Sequence, residues 1–165
     1  MRTKLVLLTL AAASIAACSR SGSIGDPAAR TDGFGSLNGA KVEISREGGY
    51  AALTINHVVK HDDRAFIFSQ RHICTTNCPA PLDSVSGTLS NAAADSLFNI
   101  VLAQDPFSLQ DDYGTTRGGA DMMMYVVRVT AGGNVKTIRG DDGTIPEPLR
   151  QIVRSVTEIV SAAHR

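Results

Sequence analysis

Two cysteines, Cys74 and Cys78, stand four positions apart behind a histidine in the stretch RHICTTNC, residues 71–78. Three chemistries use such residues: a metal site, a redox couple or a covalent staple. Structural zinc usually takes four ligands in recognisable pairs. Here His72, His57 or His61 would have to complete the set, because the chain has no second cysteine pair. The thioredoxin-type redox motif is C-x-x-C, one residue shorter than this spacing. The choice therefore turns on the third cysteine, Cys18.

Cys18 closes the segment MRTKLVLLTLAAASIAAC. Arg2 and Lys4 give it a basic start, and residues 5–17 are apolar and rich in small side chains, the layout of a secretory signal peptide. The run is too short to span ~30 Å of hydrocarbon comfortably as a helix, and residues 5–13 offer no polar face for a buried one. Its ending, IAAC, resembles a bacterial lipobox, which implies cleavage before Cys18 and lipidation of its thiol. Ser19 follows rather than an aspartate, so the resemblance favours the outer membrane, facing the periplasm, over retention at the inner membrane. Each buried methylene of the acyl chains contributes ~0.8 kcal/mol to anchoring. Cys74 and Cys78 are then a pair in an oxidising compartment, which favours a disulfide. So short a loop is worth only about 2 kcal/mol, enough to pin a loop but not to define a fold.

Other chemistry is thin. No serine lies in a G-x-S-x-G setting, and an activated nucleophile needs a base within hydrogen-bond reach. His57, His61 and His72 fall around predicted strand ends and read as solvated, as does His164 at the C-terminus. The carboxylate pairs Asp62-Asp63, Asp111-Asp112 and Asp141-Asp142 lie in turns, where aspartate bonds the backbone. Asp141-Asp142-Gly143 lacks the further oxygen ligands of a calcium loop. The glycine pairs at 48–49, 118–119 and 132–133 lack the strand-to-helix setting of a phosphate loop. The reading predicts no catalytic residue, no metal and no cofactor. The formal charge of the whole chain is +0, and without Arg2 and Lys4 it turns slightly acidic, with no basic stripe for nucleic acid.

These residues must be positioned by one ordinary domain. Residues 18–40, rich in Ser, Gly, Ala, Asp and Asn, read as a lipidated tether with a reach of about 25 Å. The domain occupies residues 41–165. Val42 and Ile44 alternate into Gly48-Gly49, and alternation resumes through Leu53, Ile55 and His57, which predicts a β-hairpin. RAFIFSQ (64–70) and residues 85–89 read as further strands, with CTTNCPAPLD as the loop between them. Ser90 is a good N-cap for a helix with Ala94, Leu97, Phe98, Val101 and Leu102 on one face, ending before Asp105-Pro106. MMMYVVRV (122–129) is the strongest strand candidate, its methionines assigned to core packing. A turn over 131–134 returns it to a partner strand at 135–139. Thr144-Ile145-Pro146-Glu147 fits a capping box opening an amphipathic helix with Leu149, Ile152, Val153, Val156, Ile159 and Val160 on its apolar stripe. Arg150 and Arg154 fall on its polar side. Five or so strands, mostly antiparallel, with two helices on one face make an α+β domain.

Taken in order, three blocks of this domain resemble the emfourin family, small bacterial inhibitors of protealysin and related thermolysin-like metallopeptidases. They are VEISREGGYAAL (42–53), ADMMMYVVRV (120–129) and DDGTIPEPLRQIVRSVTEIV (141–160). The leader, the tether and the longer 57–85 segment with its cysteine pair depart from that pattern. The resemblance implies a non-catalytic binding domain whose partner is a secreted or envelope metallopeptidase, with the membrane as a second partner through the lipid. The contact would be made by the Gly48-Gly49 turn, by the 57–64 turn with His57 and His61, or by the 111–121 loop with Asp111 and Asp112. A structural or assembly lipoprotein of the envelope is the alternative.

Overall fold

The computed structural model describes residues 37–49, 52–73, 82–116 and 121–164. Cys18, the leader, most of the tether, Cys74, Cys78 and Gly118-Gly119 lie outside the described residues. Within them the chain runs β1 (Lys41–Gly48), β2 (Leu53–Lys60), β3 (Ala65–His72), β4 (Asp83–Thr88), α1 (Asn91–Ala103), a 3-10 turn (Pro106–Ser108), β5 (Met123–Ala131), β6 (Asn134–Asp141) and α2 (Glu147–Ala163). The six strands form one sheet in the order β4-β3-β2-β1-β5-β6, and every neighbouring pair is antiparallel. The expected α+β class holds, with six strands and two helices.

Period-two alternation sets which side chains meet the helices. Val42, Ile44, Val59, Phe66, Val127, Val129 and Ile138 point inward and are buried, where they meet Leu97, Phe98 and Val101 of α1 and Leu149, Ile152, Val156 and Val160 of α2. Truncating a fully buried member such as Leu149 to Ala costs about 2–5 kcal/mol. Because the helices cover one face only, β5 is not buried on both sides as its apolar run suggests. Tyr125, Val127 and Val129 are buried, whereas Met124 and Val126 are 38% and 39% exposed on the opposite face. Core packing is thus the role of Met123, which lies against the core, and not of Met124.

Helix starts differ from each other. Ser90 caps α1 as expected, its Oγ accepting from the Ala93 amide at 3.2 Å. The capping box at Thr144 is not made: Pro146 occupies the N-cap place of α2 with no side-chain bond. The Thr144 hydroxyl instead accepts from the Asp141 amide at 2.9 Å and donates to the Gly114 carbonyl at 3.0 Å.

Topology sorts the connections between two ends of the sheet. The β1–β2 turn, the start of β5 and the end of β6 share one end, called here the glycine-turn end. The β2–β3 turn, the start of α1 and the β5–β6 turn share the other. Beside β6, residues 111–113 add a short parallel pairing, in which the Tyr113 amide donates to the Arg139 carbonyl and the Arg139 amide to the Asp111 carbonyl, both at 2.9 Å.

Candidate functional site

At the glycine-turn end, Gly48 and Gly49 both have positive φ, 119° and 68°. A Cβ on Gly48 would stand 2.6 Å from the Met122 carbonyl oxygen, a distance that side chains do not tolerate. The glycines let the turn close onto the start of β5, where the Gly49 amide donates to that same carbonyl at 3.2 Å. Immediately beside it, Met123 and Asp142 exchange bonds: the Asp142 amide donates to the Met123 carbonyl at 3.2 Å, and the Met123 amide to the Asp142 carboxylate at 2.9 Å. The other Asp142 oxygen accepts from the Tyr125 hydroxyl at 2.6 Å.

Asp141 anchors the same end from within. Its side chain is buried, 1% exposed, and accepts from the Thr116 amide and hydroxyl, the Gly143 amide and the Thr144 amide. Burial opposes its charge, but the bonds from Thr116, Thr144 and Gly143 outweigh that and hold its carboxyl below the ordinary aspartate range. Arg150, on the first turn of α2, bonds the carbonyls of Ile145 at 3.1 Å and Asp142 at 2.6 Å. The helix start is thereby tied to the loop that precedes it.

Between this loop, α2 and the inner face of the sheet opens a cleft of ≈ 360 Å³ lined by Arg46, Tyr125 and residues of the 145–158 stretch. Arg46 follows Val42 and Ile44 on the inward-facing side of β1, so it breaks an otherwise apolar row. Its Nε is buried with no hydrogen-bond partner among the described residues. Burial, then the bond to Asp142, pushes the Tyr125 phenol up to about 12, against a smaller opposing pull from Arg46. Tyr125 therefore stays a protonated donor at any ordinary pH.

The residues singled out from sequence do not form one site. Gly48 and Gly49 are at the glycine-turn end. His61 is at the opposite end, where its Nε2 meets Asp95 at 3.0 Å and its ring lies edge-on to Phe98 at 5.3 Å. Asp111 and Asp112 lie along the β6 edge. Lys136 reaches Asp111 at 2.5 Å and lowers its pKa through that bond, while Asp112 accepts from the Gly114 amide at 2.7 Å.

His57 requires a correction. It is neither solvated nor in a turn: it sits within β2, 1% exposed, 5.2 Å from the Phe68 ring. Desolvation, with Arg46 adding to it, lowers its pKa from 6.5 to about 4, so the imidazole is neutral at pH 7, and its burial keeps it from a partner's surface. Its Nδ1 has no partner among the described residues. His72 is exposed.

Asp62 and Asp63 are turn residues as expected, accepting from the amides of Gly39 and Ala65. Among the described residues no three His, Cys, Asp or Glu side chains are arranged to hold a metal ion.

The cleft itself was not anticipated from sequence. Its signals were a charged residue at an inward strand position, Arg46, and an i, i+4 arginine pair, Arg150 and Arg154, beside the apolar stripe of α2. No protein-family model and no curated protein matches the chain.

Proposed function

We propose that this chain is a lipid-anchored protein of the bacterial envelope whose domain binds and sterically blocks a thermolysin-type zinc metallopeptidase, after the emfourin family that it resembles. One observation carries the reading: the three blocks of that resemblance, scattered between residues 42 and 160, meet at one place. Block one supplies the Gly48-Gly49 turn and Arg46. Block two supplies Met122, Met123 and Tyr125 beside them, and block three supplies Asp141, Asp142 and Arg150.

Mechanistically, an inhibitor gains from a contact surface that loses little freedom on docking. The glycine-turn end has that property, being cross-bonded between the β1–β2 turn, the start of β5 and the loop before α2. The Gly48-Gly49 turn is the contact expected to occlude a peptidase cleft, with the 111–116 segment at the β6 edge as the second candidate. Metal capture is no part of the mechanism, since His57 is in the core and His61 is paired with Asp95 at the other end. Attachment is assigned to a lipid on Cys18, after the lipobox that residues 15–18 resemble.

The test is to titrate the purified protein against a panel of thermolysin-type peptidases with a fluorogenic peptide. Activity of at least one should fall at about micromolar protein, with the inhibitor chain left intact. If no member loses activity and none binds by calorimetry, inhibition is wrong, and the scaffold or assembly role replaces it. Mass spectrometry of the membrane-extracted chain should find Cys18 acylated at the mature N-terminus. Thiol labelling under denaturing, non-reducing conditions should leave Cys74 and Cys78 unmodified.

A further inference from the structure

The cleft beneath α2 gathers three guanidinium groups. Arg46 enters from β1, and Arg150 and Arg154 from successive turns of the helix, against one lining carboxylate among the described residues, Glu158. Among the described residues none of the three is held in an ion pair closer than 3.9 Å. Arg150 bonds only backbone carbonyls, Arg154 reaches Glu147 no closer than 3.9 Å, and Arg46 keeps its buried Nε unpartnered. Asp142, in the loop before α2, already uses its two oxygens for the Met123 amide and the Tyr125 hydroxyl.

A guanidinium is a planar fork matched to carboxylate and phosphate oxygens. Two features favour the carboxylate. Ile145 and Val153 give the cleft an apolar side, suited to the methylenes or terminal side chain that a carboxylate carries. Glu158 on the lining and Asp142 beside it oppose a dianion more than a monoanion.

We propose that the cleft between Arg46, Arg150 and Arg154 is a carboxylate-binding site, which takes an aspartate or glutamate side chain or the C-terminal carboxylate of a partner polypeptide. Arg154, 62% exposed at its side chain, meets the ligand at the mouth, and Arg46 meets it at the base. The site needs neither metal nor cofactor, and it does not depend on whether the partner is a peptidase.

The experiment follows the arginine Nε–Hε signals of the full-length, nitrogen-15-labelled protein in nonionic detergent. Four probes are titrated: N-acetylglutamate amide, which carries only a side-chain carboxylate; N-acetylalanine, which carries only a terminal one; inorganic phosphate; and neutral N-acetylglutamine amide. Saturable shifts at Arg46 and Arg154 are expected with at least one carboxylate probe, at a Kd of about 1–10 mM, and the tighter probe identifies the source. Arg154→Gln, at an exposed position, should weaken binding about tenfold, and Arg46→Gln at least as much, with Arg46→Lys retaining part of it. Equal shifts with the neutral amide, tighter binding of phosphate, or no saturation with either carboxylate overturns the proposal. A negative result would leave peptidase inhibition to stand on its own titration, and absence of inhibition would leave this site standing.

Discussion

At the glycine-turn end of the sheet one buried carboxylate, that of Asp141, gathers four donors from residues 116, 143 and 144. At the opposite end the links are pairwise and wet: His61 with Asp95, Arg64 with Asn91, and Asp62 with the Gly39 amide. The two ends carry polar bonds of similar length but of different consequence. A buried group that loses one partner leaves the others without solvent to replace it. An exposed pair that is broken is rehydrated, and surface ion pairs are worth about 0–1 kcal/mol. The glycine-turn end is therefore expected to be the rigid and mutationally fragile one, which suits a surface that must be presented in one shape.

Replacing Asp141 with Ala should give the greatest loss, roughly 10 °C in Tm, read by thermal melting. A loss no larger than that of Asp95→Ala would erase the contrast between the ends. Because hydrogen bonding lowers the Asp141 pKa, its contribution is complete above the unfolded aspartate pKa. It disappears as the pH falls through the folded value.

His57 acts in a higher window and sharpens the same point, since it is buried without a polar network. As the pH falls from 6.5 toward about 4 the unfolded chain takes a proton that the folded chain refuses. Stability should drop over that range by on the order of 2–3 kcal/mol. Urea midpoints taken at neutral pH and near pH 4 should show the drop in the parent protein and a clearly smaller one in His57→Leu.

Gly48→Ala should cost about 2 kcal/mol, from the positive φ and the approach to the Met122 carbonyl. The same denaturation series measures it. Asp95→Ala, at the wet end, should change stability by less than about 1 kcal/mol, with circular dichroism unchanged.

How much of this was legible beforehand depended on the range of the interactions. Local signals carried far: Ser90 before the 94, 97, 98, 101 stripe located α1, and the glycine pair located the β1–β2 turn. Thr144 misled because a capping box is a local pattern, while its hydroxyl answers a distant carbonyl at Gly114, thirty residues away. The burial of Asp141 depends on the 114–116 segment folding over it, again a long-range event. His57 was misjudged although its signal was present. It alternates with Ile55 and Val59 on the same side of β2 as those residues, which is the inward side. Met124 shows the reverse case, where an apolar residue in an apolar run simply faces outward. Arg46 and the i, i+4 arginines of α2 became meaningful only once the sheet order placed β1 beside β5.

The two rims of the sheet also differ. The outer hydrogen-bonding row of β6 is partly taken by the 111–113 segment, while among the described residues nothing pairs with the outer row of β4. A free strand row is a template for another chain, and a sheet with two such rows can stack copies end to end without limit. With the β6 row interrupted at Arg139, strand-to-strand joining is favoured at β4, where two such rows meet as a pair. An edge of that kind leads to a closed pair rather than to a growing fibre.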